Sequence, residues 1–182
     1  TDADAIGASS ATRFSDVLSA TPAPLTANVS GTVAQLSSLE AGNALTMSVS
    51  NPASVADVAA VAAKTTLTGA GSLILTGGIS DTFENIRGSG VSNTLSSTML
   101  DALIRDSDAS VTVTDAQIEL NHSYKAAVFD KLISYNQDND RIVTATISGD
   151  LTFVNTAIGS IDGDNETHNI QVTINEAINT VA

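Results

Sequence analysis

The chain of 182 residues is long enough to bury a core, and 20 acidic against 7 basic side chains give it a formal net charge of −13. So acidic a surface repels phosphate backbones, and no apolar run reaches membrane-spanning length, so we expect neither a nucleic-acid partner nor membrane insertion. The absence of cysteine excludes disulfides, thiolate catalysis and cysteine-ligated zinc.

The first predicted element lies in an N-terminal segment, residues 1–24. Residues 9–20 read SSATRFSDVLSA and place Phe14, Val17 and Leu18 on one face of a helix. We expect this segment to contain that helix and to contribute a contact between subunits.

A twelve-residue pattern, the A motif, occurs three times, at 25–36 (LTANVSGTVAQL), 75–86 (LTGGISDTFENI) and 143–154 (VTATISGDLTFV). Its first apolar residues have the spacing of a strand, and after a Gly or Asp the spacing shifts toward the i, i+3 period of a helix face. Each copy is therefore predicted to form a short strand, a polar turn or helix N-cap, and one or two helical turns.

A second pattern, the B motif, lies between the copies, at 46–51 (TMSVSN), 110–115 (SVTVTD) and 171–176 (QVTINE). Its alternation of apolar and polar, mostly hydroxyl-bearing, residues predicts a half-buried strand. Helices are predicted after the first two copies, over 52–64 and 123–134, with Pro52 at a first helical position. A further helix is predicted over 97–106, within an insertion.

The order strand, helix, strand, helix predicts an α/β fold with a parallel sheet. Because the motifs recur, the leading architecture is a solenoid-like stack that forms one domain over 25–182, with approximate repeats 25–74, 75–142 and 143–182. An all-β sandwich is the alternative, since the Ala- and Ser-rich helix candidates could instead be loops.

The two ends of the sequence are in the same phase of this repeat. The last B motif has no following helix, and the helix predicted in 9–20 stands where a B-motif helix would precede the first A motif. Since an uncapped solenoid end exposes apolar surface and a strand edge, we expect head-to-tail stacking. The partners would be copies of this chain or neighbouring repeats of a longer one.

No motif for catalysis or for a nucleotide cofactor occurs, so we expect neither an enzyme nor an organic cofactor. His122 and His168 are predicted to be polar surface residues. Closely spaced acids can bring oxygen ligands to Ca²⁺, although no full EF-hand spacing is present. Asp106 and Asp108 form one such pair, and the predicted calcium ligands are Asp162, Asp164 and Glu166, with Asp138 and Asp140 as a second cluster.

The stretches VSGTVAQLSSL, VTVTDA and ISDTFENI resemble repeat regions of very large surface proteins of cyanobacteria and other marine bacteria, described as adhesin-like or S-layer-like. The resemblance implies an exported, acidic, structural or adhesive array, often with calcium. We therefore expect a self-assembling structural subunit or repeat module of an extracellular or cell-surface filament, sheath or layer. The alternative is an adhesin or phage-fibre module that recognises a glycan or a cell-surface partner.

Overall fold

The computed structural model describes residues 25–89, 93–135, 141–161 and 168–175. Within them the chain forms eight strands and six helices. In chain order these are β1 (Thr26–Gly31), α1 (Val33–Ser37), β2 (Ala44–Val49), α2 (Val55–Ala62), β3 (Leu73–Leu75), β4 (Ile79–Asp81), α3 (Phe83–Arg87), α4 (Ser97–Arg105), β5 (Val111–Val113), β6 (Ile118–Leu120), α5 (Ser123–Ser134), β7 (Val143–Gly149), α6 (Leu151–Ala157) and β8 (Asn169–Ile174). The predicted N-terminal helix lies outside the described residues.

The chain divides into two compact modules. The first comprises Thr1–Ser80 with Ser97–Ser110, and the second Asp81–Ser96 with Val111–Ala182. In the first module, β1, β2 and β3 form a parallel sheet in chain order. Alternate apolar residues of these strands are buried, and α1, α2 and α4 pack successively against one another. The Thr and Ser residues between them lie on the half-exposed face.

The second sheet contains β4 through β8, and β7 is its best-paired strand. Thr144 of β7 lies opposite both Thr112 of β5 and Asn169 of β8, so β5 and β8 occupy opposite edges of β7. Strand β6 continues along the edge that β5 occupies, because it pairs with the last residues of β7. Helices α5 and α6 pack together in the second module.

All three A motifs fold as strand, N-cap and helix, as predicted. The N-cap falls at the same place in each copy, at Thr32, Thr82 and Asp150. The Thr32 hydroxyl accepts from the backbone N–H of Gln35, whose side chain accepts from the backbone N–H of Thr32, which completes a capping box. In the first two copies a threonine hydroxyl therefore caps the helix, whereas Asp150 makes no side-chain cap hydrogen bond.

The B-motif strands and the helix over 97–106 are confirmed as β2, β5, β8 and α4. The assignment of Pro52 to a first helical position is wrong. Helix α2 begins at Val55, because Ser54 is its N-cap and forms a capping box with Asp57.

The predicted α/β class with parallel strands is confirmed. The alternative, an all-β sandwich, is wrong, because the candidate helices form and the strand pairs β1–β2, β2–β3, β5–β7, β6–β7 and β7–β8 are all parallel. Parallel neighbours need crossover connections, and the helices supply them.

Candidate functional site

The acidic residues predicted to bind calcium, Asp138, Asp140, Asp162, Asp164 and Glu166, lie outside the described residues. Their role stays a prediction. Among the residues that the structure describes, no three His, Asp or Glu side chains come together in a way that could hold a metal ion.

Asp106 and Asp108 differ in their contacts and in their exposure. Asp106 Oδ2 accepts a 2.5 Å hydrogen bond from the backbone N–H of Leu75, so this carboxylate fixes the end of β3. Asp108 is exposed and accepts a hydrogen bond from Ser107. Asp106 is therefore a structural residue of the first module.

The two histidines also differ. His122 is exposed at the start of α5, where its ring lies 2.7 Å from the side-chain oxygen of Asn121. His168 is half-buried, and its Nδ1 accepts a 3.1 Å hydrogen bond from the backbone N–H of Val143. His168 thus attaches the start of β8 to the start of β7, a role that the sequence did not indicate.

A cleft of about 440 Å³ lies beside β7 and β8 in the second module. Hydroxyl and amide side chains supply much of its lining: Thr144, Thr146, Asn169 and Gln171. The imidazole of His168 also lines it, beside the apolar side chains of Val113 and Ile170. Because most of the described lining residues carry hydrogen-bonding side chains, the cleft can accept a polar ligand.

One backbone hydrogen bond recurs at equivalent positions after all three B-motif strands. The donor and acceptor pairs are Ser50 N–H to Gly31 O at 3.0 Å, Thr114 N–H to Asp81 O at 2.9 Å, and Asn175 N–H to Gly149 O at 3.1 Å. Each bond connects the end of a B-motif strand to the end of its A-motif strand, just before the helix N-cap.

A side-chain hydrogen bond accompanies it in the first two copies. Asn51 Oδ1 accepts from the backbone N–H of Val33 at 2.8 Å, and Asp115 Oδ2 accepts from that of Phe83 at 2.6 Å. The last residue of the B motif therefore satisfies an N–H group of the first turn of the A-motif helix. The third equivalent residue, Glu176, lies outside the described residues. The shared Asn, Asp or Glu at this position is the sequence signal for this contact.

The three copies differ in how deeply their core positions are buried. The first apolar residue of the B motif is fully buried as Met47 and as Val111, whereas Val172 is 43% exposed. The second is buried as Val49 and Val113, whereas Ile174 is again 43% exposed. The sequence pattern is the same in all three copies, so the difference lies in what covers them.

The same difference appears in the A-motif helices. Phe83, the first residue of α3, is buried, and its equivalent Leu151, at the start of α6, is 48% exposed. Leu151 follows Gly149 by two residues, and Gly149 lies opposite Ile174 in the sheet. The exposed apolar residues of the third copy therefore belong to the neighbouring elements α6 and β8, which contact each other.

The two exposed apolar residues of β8, Val172 and Ile174, lie on the core side of the sheet, as does the half-buried Ile170. Ala145 and Ile147 of β7 are buried, and Ile170 and Val172 lie directly opposite them. Opposed residues of parallel strands point to the same side, so the buried face of β7 continues onto β8. We call Ile170, Val172 and Ile174 the β8 face. Among the described strands, β8 pairs with β7 alone.

Neither β1 (TANVSG) nor β8 (NIQVTI) contains a charged residue. Proteins commonly protect sheet edges with charged side chains, proline or bulges, because an uncharged apolar edge strand pairs readily with another chain. The β8 face is therefore the strongest candidate for a functional surface in the described residues.

No protein-family model, no curated protein and no solved structure matches this chain. None of the described helices has the length and apolar character needed to cross a membrane.

Proposed function

We propose that the protein is a structural, self-assembling subunit or repeat module of an extracellular or cell-surface filament, sheath or layer. In this proposal the strand–helix repeats form a solenoid-like stack, and copies join head-to-tail. The observation that carries it is the β8 face, where residues equivalent to core positions Met47 and Val111 are exposed.

Covering the β8 face would lower the free energy of the assembly in two ways. Fully burying one exposed Val or Ile side chain contributes roughly 1.5–3 kcal/mol, and Val172 and Ile174 are each 43% exposed, so covering them would contribute a part of that value for each. A strand placed beside β8 would also satisfy the backbone groups on its outer edge. Both gains favour an occupant that is itself a strand with alternating apolar residues.

Two features support the solenoid-like arrangement. Strands consecutive in the chain pair in parallel in the first module, and the strand-end hydrogen bond recurs in all three copies. Repetition of one strand–cap–helix unit is the usual basis of a stacked repeat protein, in which each unit is stabilised by its neighbours.

The net charge of −13 sets the solution behaviour that we expect. Copies of an acidic chain repel one another, and added salt screens that repulsion. At physiological ionic strength the screening (Debye) length is about 8–10 Å. Assembly should therefore increase with NaCl. Calcium bound by Asp138, Asp140, Asp162, Asp164 and Glu166 would promote it at lower ionic strength.

The test is sedimentation and negative-stain electron microscopy of the purified chain over a range of protein and NaCl concentrations, with and without Ca²⁺. We expect the wild type to form polymers and Val172→Asp to remain monomeric, because a carboxylate on the β8 face would be buried on assembly. Ile104→Asp is the matched control, since Ile104 is a 50% exposed apolar residue on α4 of the first module and is not part of the β8 face. A wild-type chain that stays monomeric under every condition would contradict the proposal.

The second candidate is a binding module for a glycan or other polar cell-surface ligand. The cleft beside β7 and β8 favours it, because its hydroxyl and amide side chains can donate and accept hydrogen bonds as sugar hydroxyls require. Glycan-array binding that is lost in Thr146→Ala and retained in Val172→Asp would support this function over the structural one.

A further inference from the structure

We infer that the strand that covers the β8 face is β1 of a second copy of this chain, added in parallel so that Val172 of one copy lies opposite Leu25 of the next. This inference rests on the proposed head-to-tail assembly, and it specifies the partner strand and the register.

The internal repeats show what covers the equivalent residues. Val111 of β5, the equivalent of Val172, lies opposite Val143, the first residue of the third A motif. Met47 of β2 lies opposite Leu73 in the strand that leads into the second A motif. In both places a B-motif strand is followed in the sheet by the strand of the next repeat.

The two internal junctions differ in register by two residues, and the reason is local. In the second A motif the turn Thr76–Gly78 divides the strand into β3 and β4. In the first and third motifs the strand is continuous, as β1 and β7. The junction between β5 and β7 is therefore the appropriate template for β1.

That template gives a specific register for the junction between copies. Val143 is equivalent to Leu25, so the pair Val111–Val143 becomes Val172–Leu25. The pair Thr112–Thr144 becomes Thr173–Thr26 in the same way. On the core side, Leu25 would then cover Val172 and Ala27 would cover Ile174, each apolar residue meeting an apolar residue.

The two strands are also compatible in charge. Neither carries a charged side chain, so their pairing brings no like charges together in this acidic protein. Strand β1 is the terminal strand of the first sheet among the described residues. Because the contact joins two different surfaces, it is heterologous, and it continues as an open filament unless the rotation per copy closes a ring.

Single cysteine substitutions test the register cleanly, because the chain contains no cysteine. Thr26 and Thr173 are both exposed, and in the inferred register they lie opposite each other on the side away from the core. A Thr26→Cys chain and a Thr173→Cys chain, carrying different tags, are mixed under polymerising conditions and mildly oxidised. We expect a 26–173 disulfide between copies, identified by mass spectrometry of the linked peptides.

Gln171→Cys paired with Thr26→Cys is the out-of-register control. Residue 171 lies on the same side of β8 but two residues away, which places the two Cα atoms beyond the roughly 7 Å that a disulfide can span. We expect at least about tenfold less cross-linking for this pair than for 26–173.

The outcomes separate this inference from the proposed function. Polymers that form the 26–173 cross-link support both. Polymers that cross-link equally through 171, or not at all through 26, overturn the inference, because another register or another segment then covers β8, while the structural function stands. A wild-type chain that never polymerises overturns the function and the inference together.

Discussion

Strands β5 and β8 present nearly the same residues in different surroundings. Val111 in β5 and Val172 in β8 are the same residue type at the same position of the B motif, and the first is fully buried whereas the second is 43% exposed. Strand β5 has β7 as its neighbour, whereas among the described strands nothing lies on the outer edge of β8. Burial at this position is therefore decided by the surroundings of the strand and not by the residue itself.

Equivalent residues of the inner strands and of β8 should therefore affect different properties, the stability of one chain and the assembly of several. A residue of an inner strand contributes to the free energy of unfolding of each chain, while the equivalent residue of β8 contributes mainly when something covers it. Substitutions at the equivalent positions Val111 and Val172 should therefore have different consequences, and substitutions at other well-packed or hydrogen-bonded inner positions should lower the stability of each chain.

The largest loss of stability is expected at Gly77, which packs closely against the backbone that follows β2. A Cβ atom on Gly77 would lie 2.1 Å from the carbonyl carbon of Asn51, a backbone atom that cannot move independently. Gly77→Ala should therefore lower the free energy of unfolding by about 3 kcal/mol or more, measured by urea denaturation. Gly69→Ala is the control, because a Cβ there meets nothing within 4 Å. Equal stability of the two variants would contradict this close packing.

The direct comparison comes next. Val111→Ala removes two buried methyl groups and should lower the free energy of unfolding by about 2 kcal/mol. Val172→Ala should lower it by less than about 0.5 kcal/mol at concentrations where the chain is monomeric. Under polymerising conditions the order should reverse for assembly, with Val172→Ala raising the critical concentration. If both variants lose the same stability as monomers, then Val172 is covered within a single chain and the comparison fails.

The smallest loss of stability is expected at the side chains that accept hydrogen bonds from the backbone N–H groups at the start of the A-motif helices. Asn51→Ala leaves the backbone N–H of Val33 without its 2.8 Å acceptor, and we expect a loss of about 1 kcal/mol in the free energy of unfolding. Asp115→Ala should cost about the same for α3, through the N–H of Phe83. Asn155→Ala, at an exposed position of α6, is the control and should change stability by less than about 0.5 kcal/mol.

The local fold was largely predictable from the sequence because it depends on short-range chemistry. In each A motif the apolar period changes from that of a strand to that of a helix. In the first two copies the hydroxyl of a threonine at the change, Thr32 or Thr82, caps the helix. Helix α5 was predicted at its observed bounds, because its apolar residues keep a helical period over Ser123–Ser134.

Other elements were missed because their signals are short or lie outside the local sequence. Strands β3 and β6 have three residues each, too few to establish a period. The buried guanidinium of Arg105 donates to Leu67 O and Ser72 Oγ, residues distant in the sequence. No local pattern predicts either contact.

The candidate site was predicted only in outline. QVTI in β8 has the same alternation as TMSV in β2, so the sequence did not indicate which side chains would be exposed. Only the register between β7 and β8 assigns Ile170, Val172 and Ile174 to the core side.

The short sequence distance between paired strands has a consequence for how the chain acquires its structure. Strand β1 pairs with a strand that begins 18 residues later, Thr26 opposite Ala44, and β7 pairs with one 25 residues later, Thr144 opposite Asn169. Loops this short close at little entropic cost, and no described strand has to wait for a partner from the far end of the chain. A polypeptide built in this way can acquire its structure progressively, from the amino terminus onward, as it leaves a ribosome or a narrow export channel.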